Sequence, residues 1–502
     1  MASGSNTNGL AAPDAAQPQN GDSSHISADE IALYDRQIRL WGMKAQSKIR
    51  SANVLLIQMR SLANEVAKNL VLAGIGKLTI IDHAPVTPLD RGSQFFLPPS
   101  DDILGTNRAE ACLPNLQKLN PRVSITVDTS DVRSKGPSFF SPFDIVVATD
   151  IWDPRTLTII NTATRSKGTP FYCSGVHGMY GYIFADLVEH SFVVERESSN
   201  KAVLPGRKES RTCTVVSVQR KKDTSLSSST SAPESDGTTA GNNSNLSKNI
   251  ELVTFHELYS TFLLSDAAKL PPEITSRRNR LRSVSPALPC LRALFEFAEL
   301  NDGALPDKSS RQDIESFIRL STRKKQALGL PQEMTSDFLR NFLQGVGTEV
   351  SPVSAILGGQ LAQDVINVLG GTQQPIQNML VYDGNKMEAP VYSLHPEGEL
   401  GKDLLTWANN GIPVEAAVAA VTANGGSASS VVVPVSVSGT SGVPPPAGSA
   451  TRHDFQASQV LPAVGGGQPG PGLELDSMID AGANDAAATN DVGSSRKRRR
   501  LS

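Results

Sequence analysis

Residues 51–82, SANVLLIQMRSLANEVAKNLVLAGIGKLTIID, decide the fold. Val54, Leu55, Leu56 and Ile57 form a short apolar run suited to a strand buried on both faces. Leu62, Val66, Leu70 and Ala73 recur at helical spacing, Gly74 and Gly76 end that helix, and residues 78–81 begin a second strand. The spacing predicts a βαβ unit of the dinucleotide-binding kind, with Asp82 about 20 residues past the turn, where a ribose hydroxyl would be held. The turn itself is unsuited to phosphate. A pyrophosphate cradle needs glycines so that the backbone can approach the anion, and those three places hold Gln58, Arg60 and Ala63.

Strand and helix signals alternate on both sides of this unit, the signature of a doubly wound sheet. Upstream, Ser27 and Glu30 form a capping box before ALYDRQIRLWG, a helix that places Ile31, Tyr34, Ile38 and Trp41 on one face and ends at Gly42. Arg36 and Arg39 sit on the opposite side, with Asp35 placed to pair with Arg39 at i,i+4. From pattern alone Arg36 is a solvated surface arginine. Downstream, a Pro-rich connection at 83–105 leaves the second strand at the edge where ligands collect in open parallel sheets. A helix is expected at 107–119, buried strands at 123–127 and 143–148 with Asp150 just beyond, a helix at 156–164, and strands at 170–173 and from 181. A strand from 250 and helices at 288–300, 313–328 and 336–346 follow. In SPVSAILGGQLAQDVINVLGG, Ser351 suits an N-cap, Pro352 the first turn and Gly370 the end. That helix is apolar nearly all round, so it packs in a core or against a partner.

Length alone would allow about two to four domains. Residues 1–33 and 201–250 hold no aromatic side chain, and 401–502 hold only Trp407 and Phe455. Such Gly-, Ser-, Ala- and Pro-rich segments cannot offset the entropy of ordering. The expected organisation is a disordered 1–26, a first part of one α/β domain at 27–200, and a low-complexity loop at 201–248. A strand plus helical insertion at 249–350, a buried helix and closing strand at 351–397, and a disordered tail at 398–502 complete it.

Lys plus Arg number 47 against 50 Asp plus Glu, a net charge of −3 that gives no sign of a general nucleic-acid binder. Cys112, Cys173, Cys213 and Cys290 form no CxxC pair and read as free thiols, with no disulfide frame or zinc site. No apolar run reaches membrane-spanning length and MASGSNTNGL lacks a signal core, which predicts a soluble intracellular chain. Arg496, Lys497, Arg498, Arg499 and Arg500 read as a nuclear-import address, with the cytoplasm also open. Cys290 lies among Leu288, Leu291, Leu294 and Phe295 at helical spacing and reads as a buried thiol, not a nucleophile; His177 reads as structural.

YDRQIRLWG, the degenerate turn, GTNRAEA, GMYGYIFADLVEH, PVSAILGGQLAQDVI and YDG, in this order, resemble the ubiquitin-like-protein activating enzymes, above all the small, Aos-type subunits of SUMO-activating heterodimers. The resemblance implies an α/β, Rossmann-like, mostly parallel sheet of the ThiF/MoeB adenylation type. It also implies a pair of such folds, one active and one degenerate. The large catalytic partner would bind ATP and Mg²⁺, adenylate SUMO and accept it on a cysteine as a thioester. This chain would bind no cofactor of its own and lend Arg36 to the partner's ATP phosphates. Where active members carry Asn-Arg-Gln before a Phe, this chain has Gly92, Ser93 and Gln94 before Phe95; a phosphate lysine is replaced by Arg108, and Asp150 is followed by Ile151. Gln58, Arg60, Ala63, Asp82, Arg108 and Asp150 would then be the remnant of a site. Less favoured readings are the inactive subunit of a NEDD8-activating enzyme, an NAD-dependent dehydrogenase using Asp82, and an interaction scaffold.

Overall fold

The computed structural model describes residues 26–197, 203–221, 250–262, 266–399 and 401. The tails expected at 1–26 and 398–502, the basic cluster at 496–500 included, fall outside these residues except for Ile26, Gly398, Glu399 and Gly401.

Three short helices open the chain: α1 (Ala28–Leu33), α2 (Asp35–Trp41) and α3 (Met43–Ser51). The capping box forms, with Glu30 N donating to Ser27 Oγ at 3.2 Å and Ser27 N to Glu30 Oε2 at 3.2 Å. The single helix expected across α1 and α2 is broken at Tyr34. Its ring is buried against Gly74, and its hydroxyl accepts a hydrogen bond from Asn120 Nδ2 at 2.8 Å. A Cβ at Gly74 would meet that ring, and its φ of +78° is the left-handed conformation that ends the helix there.

The expected βαβ unit follows as β1 (Asn53–Ile57), α4 (Ser61–Ala73) and β2 (Lys77–Ile81). Then come α5 (Arg108–Gln117), β3 (Ser124–Asp128), β4 (Ile145–Thr149), α6 (Pro154–Arg165), β5 (Phe171–His177) and β6 (Tyr180–Asp186). Next are β7 (Glu189–Glu197), β8 (Cys213–Lys221) and β9 (Ile250–Leu258). The insertion holds β10 (Ala268–Lys269), α7 (Pro272–Thr275), α8 (Arg278–Arg282), α9 (Ala287–Leu300), α10 (Arg311–Ala327) and α11 (Ser336–Gly345). The long helix α12 (Ser351–Gly370), β11 (Met379–Asp383), β12 (Val391–Tyr392) and β13 (His395–Pro396) close the fold.

The main sheet has the order β12-β11-β6-β5-β4-β1-β2-β3. β3, β2, β1, β4 and β5 run parallel, while β6, β11 and β12 extend the sheet antiparallel. Sequence order reverses between β1 and β4. One core, with Leu62, Val66, Leu70, Leu357, Leu361 and Val365, joins α4 and α12 to one face; a second, with Leu157, Leu288, Leu291, Phe317 and Phe342, joins α6, α9, α10 and α11 to the other. The doubly wound, mostly parallel sheet is therefore present.

Three further local expectations change. β8 lies inside the stretch read as the low-complexity loop 201–248, paired antiparallel to β9 in a separate sheet of order β7-β9-β8. Its β-branched residues, Thr214, Val215, Val216 and Val218, supply strand propensity that the lack of aromatics concealed; the rest of that loop, 222–248, is outside the described residues. β3, expected to be buried, is the sheet's edge and is only part-buried, because no strand among the described residues pairs beyond it. The N-cap of α12 is Val350, not Ser351, with no side-chain cap bond. Val353, Leu357, Leu361 and Val365 of α12 are buried, and a Cβ on Gly358 would collide with Glu65 of α4. Ala355, Ile356, Gln360 and Gln363 on its other side are exposed. Among the described residues, no helix is long and apolar enough to cross a membrane.

Candidate functional site

Ligands of open α/β sheets collect at the carboxyl ends of the strands where strand order reverses. Here that is the gap between β1 and β4, and the residues just beyond them are Gln58 and Asp150. Both hold positive φ, 67° and 52°. The turn after β1 thus keeps the backbone shape of a glycine position with a glutamine in it, a conformation that costs energy for a residue with a Cβ. Ala63, at the third glycine place, lies in the first turn of α4 and is fully buried in the core.

The amino end of α4 is where a phosphate would meet free backbone N–H groups and the positive end of the helix dipole. A carboxylate of this chain already occupies that position. Ser61 N donates to Glu349 Oε1 at 3.1 Å, Arg60 Nε lies 2.9 Å from the same oxygen, and the Ser93 hydroxyl bonds Oε2. The Glu349 side chain is only 8% exposed. Glu349 carries no local sequence signal; it sits in a loop far along the chain, and only the fold brings it here.

The ribose position is engaged as well. Asp82 accepts from Met59 N at 2.8 Å and Ala84 N at 3.0 Å, and Arg108 Nε and Nη2 each lie 2.8 Å from its Oδ2. Arg108 also reaches Asp90 Oδ1 at 3.2 Å, and Thr87 N donates to Asp90 Oδ2 at 2.8 Å. Burial opposes the charge on Arg108, but Asp82 and Asp90 more than offset it and leave its pKa above the ordinary value. Burial likewise raises Asp90, while the Thr87 hydrogen bonds and the Arg108 charge hold it below the usual carboxylate value. Arg108 is a bidentate structural clamp, closed on two carboxylates.

Asp150 is 3% exposed; its Oδ1 accepts from Val176 N at 3.1 Å, and its Oδ2 has no hydrogen-bond partner among the described residues. Burial pushes its carboxyl up to about 6, against the pull of Arg60 and with reinforcement from Glu349. His177 is buried and accepts from Gly347 N at 3.2 Å, and burial, with Arg60, pulls it down to about 3. It is a neutral structural group. Cys290 lies fully buried in α9, where burial pushes its thiol up to about 12, far from thiolate reactivity. All four cysteines are free and buried.

The residues present do not fit the phosphates and ribose of ATP. The phosphate position is filled by Glu349, and the ribose acid is clamped by Arg108. The structure brings Arg60, Asp82, Arg108 and Asp150 together around the switch point, with Arg60 paired to Glu349 and Arg108 to Asp82 and Asp90.

Arg36 is elsewhere. It is exposed on α2, and no hydrogen bond or ion pair involves it among the described residues; Asp35 pairs with Arg39 at 2.9 Å, as the spacing predicts. Beside it, Gln37, Trp41, Asn69, Leu72, Gly359 and Gln363 line a groove between α2, α4 and α12. Leu33 of α1, Leu40 of α2, Met43 of α3, Leu72 of α4 and Ile356 of α12 expose apolar surface.

Comparison with known proteins agrees with this architecture. The profile of the ThiF family matches residues 34–399. The chain is 36% identical over 370 residues to the DNA damage tolerance protein RHC31 of Saccharomyces cerevisiae, a match covering 73% of this chain and 97% of that protein. It is 32% identical to SUMO-activating enzyme subunit 1 of Bos taurus and of Homo sapiens, in each case over 74% of this chain and 97% of the relative.

Proposed function

Because this chain belongs to the ThiF family, we propose that it serves a ubiquitin-like activation system as the non-catalytic, obligatory small subunit of a SUMO-activating heterodimer. The relatives named SUMO-activating enzyme subunit 1, matched over nearly their whole length, support the pathway. The observation that carries the division of labour is the Glu349 carboxylate at the amino end of α4. A fold that keeps the nucleotide frame while holding its own anion in the phosphate position is suited to structural support, not to adenylation.

In this reading a large catalytic subunit binds ATP and Mg²⁺, adenylates SUMO and accepts the thioester, and no cofactor belongs to this chain. The exposed face of α12 and the apolar residues around α2 and α4 form the docking surface for that subunit. Docking there buries the apolar surface that α12 leaves open. Arg36, unpaired on α2, extends from this face toward the partner's ATP phosphates, where a guanidinium offsets negative charge. The cluster at 496–500 directs the complex to the nucleus. ATP–pyrophosphate exchange with SUMO tests the proposal: it is expected from the chain mixed with its large partner and absent from the chain alone, and appreciable exchange by the chain alone overturns it.

A further inference from the structure

We propose that Glu349 is a resident substitute for phosphate: its carboxylate satisfies the anion position of the degenerate site, excludes phosphate oxyanions from it, and fastens the start of α12 to the start of α4. The inference rests on reading the turn at 58–63 as a degenerate nucleotide site, and it adds the group that took the ligand's place.

The geometry of the carboxylate is that of a bound oxyanion. One oxygen accepts the Ser61 N–H of a 13-residue helix and faces the Arg60 guanidinium, while the other takes the Ser93 hydroxyl. These are the donors that a helix N-terminus and its flanking arginine present to phosphate. Glu349 is also held from behind. Gly347 N donates to His177 Nδ1 at 3.2 Å and Gly178 N donates to Thr348 O at 2.9 Å, so the loop is tied to the β5–β6 turn. The backbones approach closely there: a Cβ on Gly345 would lie 2.7 Å from the His177 carbonyl oxygen. The loop cannot swing away to admit a ligand without breaking these ties.

Electrostatics points the same way. A phosphate entering the site would meet Glu349 and the buried Asp150 as well as Arg60. Remove the Glu349 carboxylate, and the Ser61 N–H, the Ser93 hydroxyl and Arg60 are left facing an open anion position. Two residues later α12 begins, so the same contact sets where the proposed partner-facing helix starts.

The test is thermal unfolding of the full chain with and without inorganic phosphate or pyrophosphate, at matched ionic strength. Wild type is expected to be indifferent to both anions. E349A is expected to melt lower and to regain about 2 °C or more with millimolar phosphate. The double variant R60A/E349A is expected to lose that rescue. If E349A does not stay folded, refolding yield is the readout: millimolar phosphate is expected to recover the folded variant where chloride at matched ionic strength does not, and equal yields in the two overturn the proposal. Phosphate that raises wild type as much as the variant, or that leaves the variant unmoved, overturns the proposal. The readout needs neither SUMO nor a partner, so phosphate rescue in a chain that fails to support SUMO adenylation would defeat the proposed function and leave this inference standing.

Discussion

Glu349 closes an ion pair with Arg60 at 2.9 Å, and the oxygen that does so also accepts the Ser61 N–H at 3.1 Å. One carboxylate thereby joins the first turn of α4 to the loop before α12. Arg60 in turn faces two acids, the part-buried Glu349 and the buried Asp150. Arg60→Ala leaves both without their cation, and the cost of uncompensated buried charge is about 3 kcal/mol. Urea denaturation at neutral pH checks this, with Arg60→Lys expected to lose less.

Asp150 makes the stability of the chain fall with pH. Its folded pKa of about 6 lies above the ordinary 3.8, so the folded state holds a proton that the unfolded state releases. The corresponding stabilisation is fully present below the unfolded value and is lost as pH rises through about 6. Asp150→Asn, which tolerates the positive φ and keeps an acceptor for Val176 N, should remove that decline. Between pH 4 and pH 7 the variant is expected to lose on the order of 2 kcal/mol less than wild type.

Arg108 holds Asp82 and Asp90 in one buried cluster. Arg108→Ala is expected to cost about 3–5 kcal/mol, because it strands two carboxylates. Arg108→Lys keeps the charge but not the two-pronged geometry, and should fall between the variant and wild type in chemical denaturation.

Gln58 carries a φ of 67° that glycine adopts freely. Gln58→Gly should therefore raise stability by about 1 kcal/mol in urea titrations. It should not create ATP binding, since Glu349 still fills the anion position; calorimetric titration of the variant with ATP checks that.

On the proposed function, Arg36→Ala in the reconstituted heterodimer should leave the melting temperature and the dimer intact, because Arg36 has no partner among the described residues. The rate of SUMO adenylation should drop about tenfold or more, as expected for a lost phosphate-neutralising guanidinium. Unchanged kinetics at limiting ATP would remove Arg36 from the mechanism. Cys290→Ala should leave thioester formation unchanged, since its thiol is buried and held protonated.

Local pattern made much of the fold legible. The apolar run at 54–57, the helical spacing from Leu62 to Ala73 and the glycine stop at Gly74 each correspond to an element of the structure. The missing glycines at 58–63 marked the turn as unsuited to phosphate, and Asp82, Arg108 and Asp150 do gather around it. Pattern failed where tertiary contact decides. Tyr34 breaks one helix into two because its ring seats on Gly74, and no i,i+4 rule contains that contact. β8 was hidden by neighbouring low-complexity sequence. Glu349 was invisible because a glutamate in a loop has no periodicity, and its partners Arg60 and Ser61 become neighbours only when α12 packs on α4.

Counting nucleotide measures the division of labour most directly. Equilibrium dialysis of ATP with Mg²⁺ against the chain alone, and against the heterodimer with the large subunit, should give no saturable site in the first case and one ATP per heterodimer in the second. A saturable ATP site on this chain alone, or two ATP per heterodimer, would contradict a degenerate site sealed by its own carboxylate.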